Sequence, residues 1–267
     1  MNTIPKIPVS VILIVKNEEK NLPNCLASLT FVSEIVVVDS GSTDKTVAIA
    51  KSFGCTVLET DWKGYAATKQ YGIDRASNDW ILWIDADETV PEALQAEIIQ
   101  FMQQANPKQA GTFPRKTFFL GRWIQYCGWY PGYVTRLFHR KTARMNQNIL
   151  HEGVDLDSGV KNIYFKNDLF HDSYQNLHQY FQKMNDYGID GARELQRKGK
   201  RFHVLQLFLN PFWNFFRFYI LKKGFLDGIP GLMISIGSGF SNFIKYSNLY
   251  ELERQKAESQ KQIHHTL

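Results

Sequence analysis

Cysteine is scarce: Cys25, Cys55 and Cys127 are the only three in 267 residues. None stands in a CxxC pair. An odd, scattered set excludes a disulfide framework and fits a reducing compartment. The opening MNTIPKIPVS has no apolar h-region, so no secretory signal is expected. No glycine follows the first apolar run, which ends in VKNEEKN. That excludes a dinucleotide fingerprint there and a nucleotidyltransferase loop. The later GSGFSN follows no strand and has no third glycine. ILHEGVDL offers His151 and Glu152 but Asp155 at the fifth position, so HExxH is absent. Long apolar runs are missing too. Val204–Ile220 reaches only the lower edge of a bilayer span, and Gln206, Asn210, Pro211, Asn214 and Arg217 interrupt it.

What is present describes a folded chain. Hydrophobic content of 44% and aromatic content of 14% exclude disorder. The length suits one large α/β domain, or one domain with an appendage. The net charge is +5. Between Arg193 and Lys223 eight basic residues face one acid, Glu194, so this stretch is strongly basic and the rest slightly acidic. Such a patch implies an anionic partner.

The first hundred residues alternate apolar runs with helical spacing. Strands are expected at Val9–Val15, Ile35–Val38, Thr56–Glu59 and Trp80–Ile84. Helices are expected over Glu19–Leu29, over Thr43–Phe53 with Ser42, Thr43 or Asp44 as cap, and over Tyr65–Ala76. Runs apolar throughout imply strands covered on both faces, hence a parallel sheet of βαβ units. Such sheets bind ligands beyond the carboxyl ends of their strands. Here those ends deliver Val15-Lys16-Asn17-Glu18, Asp39-Ser40-Gly41-Ser42-Thr43-Asp44 and Asp85-Ala86-Asp87. Carboxylates so gathered repel unless positive charge sits among them.

A lone Asp after a strand is usually a helix cap. In WILWIDADETVPE, however, Thr89 with Glu92 is expected to form a capping box with Pro91 in the first turn, which leaves Asp85 and Asp87 with no capping role. Two carboxylates flanking one small residue can share a divalent ion that also holds phosphate oxygens.

VSVILIVKNEEKNLPNCLASL, EIVVVDSGSTDKTVAIA and GYAATKQYGIDRASNDWILWIDADE resemble, in order and spacing, the nucleotide-sugar half of family 2 glycosyltransferases of GT-A fold. The resemblance implies a Rossmann-like, mostly parallel central sheet flanked by helices. It implies that Val15, Asn17, Glu18 and Asp39 hold the uridine of a UDP-sugar, with Lys69 close to the nucleotide. It implies that Asp85 and Asp87 hold the sugar diphosphate, Asp87 being the direct ligand of Mg²⁺ or Mn²⁺. Lys16 departs from the pattern, which often has Tyr or another neutral residue there.

The middle of the chain changes character. Gly111–Leu120 and Tyr133–Phe138 alternate aromatic and polar residues, as mixed or antiparallel strands do. Between them GRWIQYCGWYPG supplies Trp123, Trp129 and Tyr130, either a sugar platform or core. Inverting transfer needs one base to deprotonate the acceptor hydroxyl. Glu152 fits by its distance beyond the Asp-X-Asp and by resemblance to members with a His-Glu pair there. His151 would orient it or approach the phosphates. Arg136 is a phosphate contact or a structural ion-pair partner. His171 is a third metal ligand or a hydrogen-bonded structural residue.

Asn176–Arg197 reads as a polar helix, and the basic, aromatic-rich stretch after it as an amphipathic segment lying on an anionic membrane surface. A helix packed on the rest of the chain, or on a second copy, is the competing reading. HEGV, KMNDYGIDGARE, FYILKKGFLDG and FIKYSNLYELE resemble the bacterial lipopolysaccharide-core β-1,4-glucosyltransferases. That resemblance implies transfer from UDP-glucose to heptose of a lipid-anchored glycan, at the cytoplasmic face of the inner membrane. The expected division is a nucleotide-sugar half (1–107), an acceptor half (108–175), a helical membrane-associating extension (176–250) and a frayed polar tail (251–267). A degenerate, non-catalytic membrane partner is the rival outside enzymology, and intact Asp39, Asp85, Asp87 and Glu152 argue against it. Nucleic acid is not expected as a partner, because Phe, Leu and Ile interleave the basic residues.

Overall fold

The computed structural model describes residues 6–146 and 153–266, with side chains to Ser259. The chain forms two compact units, Met1–Thr117 with Pro131–Ser173, and Phe118–Tyr130 with Tyr174–Leu267. Glu152 and His151 lie outside the described residues.

The first unit opens with β1 (Ile7–Val15), α1 (Leu22–Ala27), β2 (Val32–Asp39), α2 (Thr46–Ser52), β3 (Thr56–Glu59), α3 (Tyr65–Ile73), β4 (Trp80–Trp83), β5 (Glu88–Thr89) and α4 (Glu92–Met102). β6 (Gln109–Phe113), β7 (Arg115–Phe119), β8 (Arg122–Trp123), β9 (Val134–His139), β10 (Ala143–Met145), β11 (Val154–Leu156), β12 (Lys161–Tyr164) and β13 (Leu169–Tyr174) follow along the chain, β8 belonging to the second unit. The main sheet runs β12-β6-β9-β4-β1-β2-β3. β1 is parallel to β2 and to β4, whereas β9 runs antiparallel to β4 and β6. This is a mixed α/β, Rossmann-like sheet.

The apolar strands are buried on both faces as expected: Val9, Val11, Ile12 and Leu13 have no exposure at all. α3 lies directly on the sheet. A Cβ at Gly72 would stand 2.8 Å from Val38 Cγ2 and 2.9 Å from Ile12 Cγ2, so only glycine permits that approach. The chain leaves β1 toward β2 on one side, and β4 returns on the other. The carboxyl ends of β1 and β4 therefore flank a topological switch point, where open sheets of this kind leave a crevice.

One local expectation fails. α4 starts at Glu92 with Pro91 as its cap and no side-chain capping bond. Thr89 is instead in β5, paired with Phe170 of β13, so strand pairing takes the residue assigned to the capping box. The conclusion drawn from that box survives on other grounds, since neither Asp85 nor Asp87 caps α4. α2 starts later than expected, at Thr46, and Asp44 Oδ1 still accepts the Thr46 N–H at 2.9 Å.

In the second unit, Phe119, Ile124, Cys127, Tyr174, Tyr180, Met184 and Ile234 form the core. Its helices are α5 (Leu177–Arg197), α6 (Gln206–Phe216) and α7 (Gly228–Thr266), with a π-turn at Arg217–Leu221 and a 3₁₀ turn at Gly224–Asp227. Half-buried Trp129 packs edge-on against Phe119 at the margin of this core. Buried Asp227 accepts the backbone N–H groups of Gln125 and Tyr126 at 3.1 and 2.9 Å, which pins the aromatic loop within this unit. α5 and α7 touch at Gly188, where a Cβ would stand 2.5 Å from Ile244 Cγ2. The polar stretch after Glu251 is helical, as α7 runs on to Thr266. Among the described residues no helix is long and apolar enough to cross a membrane.

Candidate active site

Two loops interlock where β1 and β2 end. Val15 pairs in register with Asp39, and the Ser40 N–H donates to Val15 O at 3.1 Å. Asn17 adopts a left-handed conformation at φ 58°, which Asn tolerates better than most residues. Its N–H donates to Ser42 Oγ at 2.9 Å, and its Oδ1 accepts the Thr43 N–H at 2.8 Å. The Glu18 N–H donates to Thr46 Oγ1 at 2.8 Å. Asp39 is buried, and its Oδ2 accepts the Gly41 and Ser42 N–H groups at 3.0 Å each. The Ser42 hydroxyl donates to Asp39 Oδ1. The carboxylate is thereby fixed before any ligand arrives.

Beyond β4 the carboxylates meet their cations. Asp85 Oδ2 accepts Arg136 Nη2 at 2.7 Å, and Asp85 Oδ1 accepts the Trp83 indole N–H at 3.0 Å with Lys69 Nζ 3.5 Å away. Glu88, fully buried, accepts Arg136 Nη2 at 2.6 Å and lies 3.7 Å from Arg115 Nη1. Its other oxygen accepts the Asp85 N–H at 3.1 Å. Trp83 carries both cations on its ring, Lys69 Nζ at 3.6 Å and the Arg136 guanidinium at 3.9 Å from the centroid. Burial opposes the charge on Asp85, but Arg136 and Lys69 outweigh it and hold the carboxyl far below the usual range. Burial likewise works against the charge of Arg136, and Glu88 and Asp85 reverse that, raising it above an ordinary arginine.

Asp87 stands apart from these cations. Its Oδ2 lies 3.2 Å from His171 Nε2, His171 being held on β13 opposite Glu88 of β5. Glu18 senses the same acidic rim: burial pushes its carboxyl up, a hydrogen bond from Asn21 opposes this, and Asp87, Asp44 and Asp85 add to the rise. The Cys25 thiol is pushed well up by burial and then by Glu88, Asp87 and Asp85. Among the described residues no three or more His, Cys, Asp and Glu side chains form a ready-made metal cage. Arg115 Nε, Arg136 Nε and His171 Nδ1 are buried with no hydrogen-bond partner among the described residues, an unmet polar capacity around the carboxylates.

Of the residues singled out from sequence, Val15, Asn17, Glu18 and Asp39 share the first loop cluster. Lys69, Asp85 and Arg136 share the second, and Asp87 and His171 form a pair. Arg136 is 3% exposed and engaged in ion pairs. Sequence alone assigns no role to Trp83 or Arg115, and none to Glu88 beyond its place among the carboxylates after β4. Glu88 directly follows the Asp-X-Asp, and that adjacency was the available signal; Arg115 arrives from a distant strand and had none.

A model of glycosyl transferase family 2 matches residues 10–169. An uncharacterized glycosyltransferase of Rickettsia felis is 31% identical over 91% of this chain and 89% of that protein. The lipopolysaccharide core biosynthesis glycosyltransferase LpsC of Rhizobium meliloti is 29% identical over 95% of this chain and 96% of that protein. Glucosyl-3-phosphoglycerate synthase from Mycobacterium tuberculosis, solved with Mn²⁺, UDP and glucosyl-3-phosphoglycerate, overlaps 42% of this chain and 43% of its own, at 25% identity and TM-score 0.34.

Proposed function

The chain belongs to glycosyl transferase family 2 and is a sugar-transferring enzyme; from that premise we propose that it transfers a hexose from a UDP-sugar, with inversion, to a lipid-anchored glycan. The observation that carries the reading is the carboxylate rim at the β1/β4 switch point, with Asp85 held ionised by Arg136 and Lys69 and Asp87 left beside His171.

Asp39 Oδ1 accepts one hydroxyl within the protein and keeps capacity for the uracil imide N–H, while the loop of Val15, Asn17 and Glu18 closes on the nucleoside. Lys69 offsets phosphate charge, and Arg136 holds Asp85 in place for the sugar diphosphate. A carboxylate and an imidazole nitrogen 3.2 Å apart, with a second carboxylate two residues back, fit Mg²⁺ or Mn²⁺, which take few protein ligands and complete their shell with phosphate and water. Asp87 and His171 would hold that ion, and when bound it neutralises the charge that develops on UDP. Glu152 takes the proton of the acceptor hydroxyl as its oxygen bonds to the anomeric carbon, while the carbon–oxygen bond to UDP breaks and the electron pair leaves with the diphosphate.

The full-length likeness to LpsC supports a lipopolysaccharide-core acceptor. In its most specific form the proposal is glucose from UDP-glucose to a core heptose, at the cytoplasmic face of the inner membrane. The broader form, another UDP-sugar-dependent step in glycolipid or polysaccharide synthesis, uses the same site.

Calorimetric titration of UDP-glucose with Mn²⁺, with Mg²⁺ and with EDTA tests the donor half. Metal-dependent binding is expected in the wild type and loss in Asp87→Ala. Absence of binding to any UDP-sugar with either metal would sink the proposal.

A further inference from the structure

α6 is built inside out. Its three polar side chains, Gln206, Asn210 and Asn214, are all half-buried, and Asn214 Nδ2 donates to Ser238 O of α7 at 3.0 Å. Its exposed positions are instead Phe208, Leu209, Phe212 and Trp213, continued at the N-terminal side by Leu205. The spacing of these five is that of one helical face. Phe212 is 69% exposed and Phe208 67%, where a helix packed on a water-soluble core would bury them. The stripe is bounded by exposed Lys200 and Arg201 before the helix, and by Arg217, Lys222 and Lys223 after it. No acidic residue occurs from Leu195 to Lys223.

We propose that this face of α6 is a docking surface for an anionic lipid bilayer, the helix lying in the interface plane with Phe208, Phe212 and Trp213 inserted among the acyl chains. Apolar side chains rimmed by basic ones match the two layers such a surface presents, hydrocarbon beneath and negative headgroups above. A second copy is the weaker occupant. Isologous pairing of this face would set like-charged rims against each other at the edge of the apolar contact. With no helix fit to span among the described residues, the attachment is peripheral. The inference deepens the lipid-anchored acceptor of the proposed function and rests on it for its biological sense; its physics comes from the second unit alone.

The test is flotation of the full chain with vesicles of phosphatidylcholine alone and of phosphatidylcholine mixed with phosphatidylglycerol, beside sedimentation velocity without lipid. Binding to the anionic vesicles is expected, weaker at high salt. Phe212→Ser with Trp213→Ser should lower vesicle affinity by about tenfold or more, since two large apolar groups stop being buried. Arg217→Glu with Lys223→Glu should remove the preference for anionic lipid. All four positions are exposed, so the core is undisturbed. Failure to bind anionic vesicles, or unchanged binding by the double serine variant, overturns the inference. So does a dimer that the same variant disperses, which would give the face to a second copy. UDP-glucose calorimetry on these proteins separates the two proposals: lipid binding without donor binding sinks only the donor chemistry, and donor binding without lipid binding sinks only this surface.

Discussion

Trp83 donates its indole N–H to Asp85 at 3.0 Å, and the same indole ring lies under the two cations that neutralise that carboxylate. One side chain at the end of β4 thus positions an acid and both of its counter-ions. The carboxylate oxygens are divided between them: Oδ1 faces Trp83 and Lys69, and Oδ2 faces Arg136.

Trp83→Phe keeps a ring for the cations and removes the hydrogen bond to Asp85. A bond to a charged group contributes about 1.5–3 kcal/mol, and Asp85 is partly exposed, so the lower end applies. Donor affinity should drop by about tenfold, and stability by about 1.5 kcal/mol, well short of the loss in the alanine variant. Trp83→Ala should unfold far more readily, by about 3–5 kcal/mol, because the cavity adds to the loss. Calorimetry for the donor and urea denaturation for stability separate the two effects. Equal donor affinity in Trp83→Phe and wild type would remove Trp83 from the site.

Arg136→Met strands Glu88, a carboxylate with no exposure, beside Arg115 alone. Breaking a buried pair from one side costs about 3–5 kcal/mol. Adding Glu88→Gln should recover much of that stability while leaving donor binding impaired, since Asp85 still lacks its nearest cation. Denaturant midpoints of the two variants give the answer, and a double variant no more stable than the single one would contradict the pairing.

Acid should destabilise the first unit through Asp85. Its carboxyl is depressed in the folded state, so the stabilisation is complete above its unfolded value of about 3.9 and is lost as pH falls through the folded value. Glu18 works in the opposite sense: raised in the fold, it favours folding below its unfolded value of about 4.3 and loses that contribution as pH rises through its folded value. Asp85 is the more strongly displaced, so the net slope below about pH 4 is toward instability. Urea titrations across this range should show a shallower acid loss in Lys69→Met than in wild type. A slope identical in the two proteins would assign the acid sensitivity elsewhere.

Glu152→Gln separates chemistry from binding. Loss of a general base lowers kcat by about 10²–10⁴-fold, and UDP-glucose affinity should be unchanged, since the proposed donor contacts are made by other residues. His171→Ala should instead weaken Mn²⁺ affinity by about tenfold or more, visible in metal titration without any acceptor. A Glu152→Gln enzyme with undiminished kcat would require a different base.

Much of the sheet was legible in the amino-acid order. Val9–Val15 and Ile35–Val38 are apolar at every or nearly every position, and such strands can only be central ones with helices on both faces. The acidic residues after them follow from strand polarity, because the carboxyl ends of parallel strands share one rim. Asp39, Asp85 and Asp87 are legible that way, and Lys69 only through the resemblance carried by those segments. Local competition was less legible. Thr89 and Glu92 have the spacing of a capping box, but pairing of Thr89 with Phe170, far along the chain, decided the matter.

By itself, then, the sequence determined the strand order's raw material, the carboxylates on the rim and the basic, aromatic character of the later helices. Tertiary structure alone decided which charges meet. Arg136 reaches Asp85 and Glu88 because β9 runs antiparallel beside β4, and Arg115 reaches Glu88 from another strand again. It also decided the orientation of α6. Helical periodicity places Phe208, Phe212 and Trp213 on one face, but only packing on α7, with the bond from Asn214 to Ser238, turns the opposite face inward. Side-chain spacing is local and can be read along the chain; the partner that a charge or a face finds depends on contacts between residues distant in it.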